Sequence, residues 1–167
     1  MLRKSEENIS INCSFGFKAE IPEDHRLRSP MMGGGAILDV GCYPLSMTKL
    51  LVGHILGKPY ADPKSIEVSG ELDTTGIDLN STAHIIFTDN IQAHISCAIN
   101  EEYENNLEIV SGDFKLEVSQ PWHCGQFQGG LSSIKVYNKD NLVEEITYKD
   151  DIGLFTREID HASQCIL

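Results

Sequence analysis

An α+β domain, built on an open and mainly antiparallel β-sheet with helices on one face, is the fold class that the sequence predicts. Three observations predict it. Residues 8 to 18, NISINCSFGFK, alternate strictly, with Ile9, Ile11, Cys13, Phe15 and Phe17 on one side and Asn8, Ser10, Asn12 and Ser14 on the other. That period of two marks a strand with one buried face. After Pro63 short alternating runs follow one another with turn signals between them, the pattern of a meander. Between these regions lies a single long helical pattern, from Gly35 to about Leu56.

Taken in order, the first strand leads into IPEDHRLRSPMM, whose two prolines and clustered charges read as an exposed connection. Ile37, Leu38, Leu45, Leu50, Leu51 and Ile55 then fit a helix, and Gly57-Lys58-Pro59 supplies its stop. Pro44 falls inside this helix, lacks a backbone donor and crowds the carbonyl of Val40, so a kink or break is predicted just after Tyr43. Strands follow at 65–72, 81–88, 91–99, 106–111 and 114–119, with Asp89-Asn90 and Gly112-Asp113 as tight turns. In 91–99 the odd positions are apolar and Gln92, His94 and Ser96 are not, which gives the sheet one wet or interface face. Two more strands are expected at 132–137 and 142–148 around Asn138-Lys139-Asp140-Asn141. The irregular stretch VSQPWHCGQFQGGLSS holds Trp122, His123 and Phe127, and long irregular loops are often functional. Phe155, Ile159, Ala162 and Ile166 recur at helical spacing at the end of the chain.

Composition narrows the function classes. The 167 residues suit one domain with a real core, 1–167, and are too few for two ordinary ones. A net charge of -12 repels an extended polyphosphate, so nucleic acid is not the expected partner. Gly, Pro, Lys or His breaks each apolar stretch before a membrane-spanning length, and Met1-Leu2-Arg3-Lys4 leads into polar residues; no membrane partner and a cytoplasmic location are the expectation. Five cysteines without C-x-x-C spacing read as free thiols, and no metal site is expected, since the His123-Cys124 pair has no second pair to match it. Cys13 and Cys97 fall on the apolar side of their strands.

The stretch GGGAILDVGCY, residues 33–43, is the one that raises a question of chemistry. Glycines ahead of a helix expose backbone donors to an anion, but Leu38 stands where a dinucleotide fingerprint needs its third glycine, and no G-K-[ST] follows. Asp39 and Tyr43, four apart, share a helix face. The bland reading is a packed tyrosine with Asp39 complementing the helix dipole in its first turn. The other is a carboxylate and a phenol that act together.

GGGAILDVGCYPLSMTKLLVG, the strands after it and REIDHASQCI together resemble the C-terminal domain of the glucose-fructose oxidoreductase / inositol dehydrogenase / rhizopine catabolism (Gfo/Idh/MocA) family of NAD(P)-dependent oxidoreductases. The resemblance spans nearly the whole chain. Tyr rather than His at position 43 resembles the branch that contains dimeric dihydrodiol dehydrogenase and NADP-dependent xylose dehydrogenase. It implies an open antiparallel sheet, Tyr43 as the acid/base and Asp39 as its neighbour that orients substrate hydroxyls. An ordinary phenol has a pKa near 10 and needs a nearby cation to act as a base around neutrality. In the family that cation is a lysine of a Glu-Lys-Pro motif in a nucleotide-binding domain, and the nicotinamide carries the hydride.

Neither a Rossmann fingerprint nor Glu-Lys-Pro occurs here, so NAD or NADP is expected in a full-length enzyme and not on this chain alone. The chain is expected to be truncated at both ends. Arg28, Trp122 and His123 are candidate substrate contacts: a charge before the glycines, and an aromatic face with a polar neighbour of the kind that suits carbohydrate. Arg28 reads equally as an exposed loop charge and Trp122 as a core anchor. A small polyhydroxylated substrate and a homodimer formed through the open sheet face are the partners the resemblance implies. Two functions stand at this point. One is the substrate and oligomerisation domain of an oxidoreductase acting on a sugar, polyol or diol; the other is a stand-alone, non-catalytic binding or dimer-forming module.

Overall fold

The computed structural model describes residues 7–123, 131–149 and 155–166. Eight strands form one open sheet: β1 Ile9–Gly16, β2 Ser65–Leu72, β3 Asp78–Thr88, β4 Ile91–Ala98, β5 Asn106–Ser111, β6 Phe114–Ser119, β7 Leu131–Asn138 and β8 Asn141–Lys149, in the order β2-β3-β4-β1-β5-β6-β7-β8. Every neighbouring pair is antiparallel except β1 and β4, whose register runs from Ile9↔Ile91 to Gly16↔Ala98. The first strand therefore enters the middle of the meander, and its chain must leave the sheet and return through the helix before β2 begins. Lys139 and Asp140 take positive φ values of 49° and 65° in the β7–β8 turn, the mirror-image turn that matches strand twist.

The alternation sorts the sheet into two faces. Ile9, Ile11, Cys13 and Phe15 of β1, Ala83, Ile85 and Phe87 of β3, Ile91, Ala93, Ile95 and Cys97 of β4 and Leu107 and Ile109 of β5 are buried in one core. Over it lies α1, Cys42–Ile55, preceded by a π-helical turn at Ile37–Gly41. The opposite face carries polar side chains, among them Asn12 donating to Glu108 at 3.2 Å, Thr82 against Ser96 at 3.1 Å, and the His84 and His94 rings stacked 4.4 Å apart.

Helix geometry departs from the expectation in two ways. The break lies one turn before Tyr43 and not after it, and α1 continues through Pro44. The physical reason is the carbonyl of Val40, which Pro44 leaves without its usual donor and which the widened π turn accommodates. The buried stripe also differs: Pro44, Thr48 and Val52 face the sheet, whereas Ile37, Leu38 and Leu50 are exposed. Gly41 lets the turn approach the sheet, since a Cβ there would stand 2.8 Å from Cys97 Sγ. Pro30–Ile55 is long and apolar enough by composition to cross a membrane, the single such run among the described residues, but its buried stripe packs on the sheet as a core helix does. The terminal helix α2, Thr156–Ile166, exists as the spacing indicated, with no buried residue. Cys124 and Phe127 lie outside the described residues.

Cys13 and Cys97 are buried while Cys42 and Cys165 are exposed. Burial pushes the Cys13 thiol from 9.0 up to about 11, with a partial offset from its hydrogen bond to Thr48. Burial also pushes Cys97 from 9.0 to about 12, with the Asp78 carboxylate adding to the rise. Raised folded pKa values keep these thiols protonated where the unfolded chain ionises. Their stabilising contribution is therefore whole below the unfolded value of 9.0 and is lost as pH climbs towards 11 and 12. Two results are expected: alkaline destabilisation that begins near pH 9.0 and is reduced by Cys13→Ala compared at each pH with its own neutral-pH value, and thiol-reagent peptide mapping that labels Cys42 and Cys165 before Cys13 and Cys97.

Candidate active site

The three glycines before the π turn serve packing. Gly33 and Gly35 have φ of 68° and 107°. At Gly34 a Cβ would stand 2.5 Å from the Leu27 carbonyl oxygen, and at Gly35 it would collide with the Asp78 carboxylate. That carboxylate accepts the Ile37 N–H at 2.8 Å, so the donor that an anion would seek at the helix start is already used. These residues do not fit a dinucleotide phosphate.

Beyond them the π turn and the first turn of α1 present Asp39 and Tyr43 to a cleft of about 700 Å³. Phe15 and Phe17 at the end of β1 line one side, with Val40. Glu102 and Asn105 from the β4–β5 connection, and Gln120 and His123 after β6, line the other. The cleft thus joins an aromatic wall to a wall of amides, carboxylates and an imidazole.

Aromatic packing fixes Tyr43. Phe15 meets its ring edge-on at 5.4 Å, and Trp122 stands 6.4 Å away. Trp122 stacks on Phe15 at 5.9 Å and donates its indole N–H to the Ser14 carbonyl at 2.6 Å. It is buried and backs the wall without lining the cleft, which fits its core-anchor reading. His123 lines the cleft and meets Phe15 edge-on at 5.5 Å.

Asp39 accepts from Arg26 at 2.9 Å. With the Arg26 side chain 55% exposed, such a pair contributes about 0–1 kcal/mol to stability, so its consequence is positional: it holds the carboxylate in one orientation. Arg28, the arginine singled out from sequence, lies elsewhere. It pairs with Asp73 at 2.8 Å and donates to the Ile21 carbonyl at 3.3 Å, tying the loop before the glycines to the turn after β2. Arg26 and Arg28 are two apart on one short 3-10 turn, and no periodicity distinguishes them.

Asn105 and Gln120 were not legible in the sequence. Both have left-handed backbones, φ 54° and 53°, and the Gln120 N–H donates to the Asn105 carbonyl at 3.0 Å. Asn105 is buried, and its side-chain oxygen accepts the Gly16 N–H at 2.8 Å. Each such backbone costs about 1–2 kcal/mol, less for Asn, and is held by these mutual bonds. The only signal available was a polar run at a strand junction, which most loops share.

Comparison with known proteins identifies the family and the fold. Residues 7–117 match the family model described as the GFO/IDH/MocA C-terminal domain. The chain belongs to that family. Trans-1,2-dihydrobenzene-1,2-diol dehydrogenase of Xenopus tropicalis is 24% identical to the domain over 164 residues, 94% of this chain and 45% of the relative. D-xylose 1-dehydrogenase (NADP(+)) of Hypocrea jecorina is 30% identical over 74 residues, 44% of this chain and 19% of the relative. A 3-ketoreductase from Actinomadura kijaniata, solved with NADP and TDP-benzene, shares the fold with a TM-score of 0.71 at 19% identity, over 95% of this chain and 46% of that one. The domain spans less than half the length of these curated relatives.

Proposed function

We propose that these 167 residues form, as one domain, the substrate-binding and oligomerisation part of a cytoplasmic NAD(P)-dependent oxidoreductase that acts on a sugar, polyol or diol. The observation that carries the reading is the placement of Asp39, held by Arg26, and Tyr43, held by Phe15, in one cleft with amide and imidazole groups opposite. Dehydrogenation of a secondary alcohol removes a proton from the oxygen and a hydride from the carbon. In this reading Tyr43 takes the proton, and returns it in the reverse direction, while Asp39 accepts a hydrogen bond from a neighbouring hydroxyl and fixes which one reacts. A nicotinamide held by a Rossmann-type domain outside these residues supplies the hydride acceptor. Among the described residues the lining includes no Lys or Arg, and the cation that assists the phenol comes in this reading from the same second domain.

The reading is tested on the chain itself by chemical-shift mapping with D-xylose and with a trans-diol. Shifts concentrated at Tyr43, Asn105, Gln120 and His123 support it, and shifts confined to the polar sheet face contradict it. A homodimer through that face belongs to the same proposal. Among the described residues its side chains are exposed or half-buried, and its Ser, Thr, Asn and His groups can exchange hydrogen bonds with a symmetry-related copy. Light scattering is expected to give twice the chain mass; a monomer mass at all concentrations removes this part of the proposal.

A further inference from the structure

We infer that Glu102 makes this cleft select uncharged hydroxyl-bearing groups over groups that carry a carboxylate or phosphate, an inference that rests on the polyol reading above. Among the described residues, the arginines and the helix-start donor nearest the cleft each have an acidic partner. Arg26 is spent on Asp39 at 2.9 Å, and Arg28 on Asp73 at 2.8 Å. The Ile37 N–H at the start of the π turn is spent on Asp78 at 2.8 Å. Among the described residues the lining brings two carboxylates, Asp39 and Glu102, and no Lys or Arg. Asp39 has its cation. Glu102 accepts the backbone N–H of Lys18 at 3.3 Å, a neutral donor that leaves its charge uncompensated.

An acid group placed between these walls therefore meets a like charge, whereas a hydroxyl meets an acceptor. A vicinal diol can donate to a carboxylate and accept from an amide at once, and Asn105 and Gln120 set amides beside Glu102. The aromatic wall of Phe15 and Phe17 offers apolar surface to C–H groups. Glu102 is accordingly a specificity-determining residue that acts through charge.

The test compares D-glucose with D-glucuronate, which differ in one group, by saturation-transfer NMR on the chain. It is run at low ionic strength, where the charge on Glu102 is screened least. Wild type is expected to bind D-glucose in preference to D-glucuronate. Glu102→Gln is expected to shrink that preference about three- to tenfold, Glu102→Asp to retain it, and high salt to erase it in the unsubstituted chain. D-glucuronate binding as well as D-glucose in the wild type at low salt, or a preference unmoved by Glu102→Gln whatever salt does, overturns the role of Glu102 and leaves the polyol site standing. Binding of neither sugar overturns the polyol reading itself, and this inference with it.

Discussion

Tyr43→Phe, in the chain joined to a Rossmann-type domain of the family, is expected to lower kcat by about 10²–10⁴-fold, the usual contribution of a positioned acid/base group. Nicotinamide binding should be unchanged, because in this reading the cofactor's binding contacts lie on the second domain and the hydroxyl that is removed serves the proton transfer alone. The loss should appear in kcat and kcat/KM together, since proton transfer belongs to the transition state and not to ground-state binding. The substitution is conservative for structure. Phe keeps the edge-on contact with Phe15 at 5.4 Å and the neighbouring Trp122 ring, and Tyr43 is 47% exposed, so no buried polar group is orphaned. Near-full turnover by this variant would return Tyr43 to the status of a packed aromatic residue.

Trp122→Ala is the substitution with the largest expected effect on stability. The indole is buried, stacks on Phe15 at 5.9 Å and closes a 2.6 Å hydrogen bond to the Ser14 carbonyl, so it pins the turn after β6 to β1. Truncating a buried Trp to Ala costs about 3–5 kcal/mol. Trp122→Phe keeps most of the stack and loses the hydrogen bond, which should cost about 1–3 kcal/mol because the Ser14 carbonyl is left without that donor. Denaturant unfolding of the two variants measures the difference. Equal and small losses would show that the turn is held by other contacts, such as the Gln120 N–H to Asn105 carbonyl bond.

Much of the fold was legible because its signals are local. Strict alternation placed β1 and β4, and Asp89-Asn90, Gly112-Asp113 and Asn138-Lys139-Asp140-Asn141 marked three of the turns. The parallel pairing of β1 with β4 was not legible, because pairing between segments about 80 residues apart leaves no mark in either strand's own pattern. The π turn was foreseeable as a disturbance caused by Pro44, but its side was not. The proline acts on the carbonyl four residues earlier, so the ladder yields before it and not after it.

The site divides in the same way. Asp39 and Tyr43 share a helix face, and helical spacing reveals that. Glu102, Asn105 and Gln120 come from loops that only the folded sheet brings within reach of that helix. Arg28 misled because charge and proximity in sequence do not tell which arginine of Arg26-Leu27-Arg28 turns towards Asp39. Ile37 and Leu38 appeared apolar and therefore buried. In the structure they lie exposed, as Met31 and Met32 do.

The central claim is that the Asp39–Tyr43 cleft is the substrate half of a nicotinamide-dependent site. It is tested most directly by joining this chain to the remaining half of the Xenopus tropicalis relative and following reduction of NADP and of NAD by absorbance, with D-xylose and a trans-dihydrodiol as donors. The account predicts donor-dependent reduction that Tyr43→Phe suppresses. A joined protein that folds and binds the nucleotide, yet reduces none of it with any neutral sugar, polyol or diol, would contradict it.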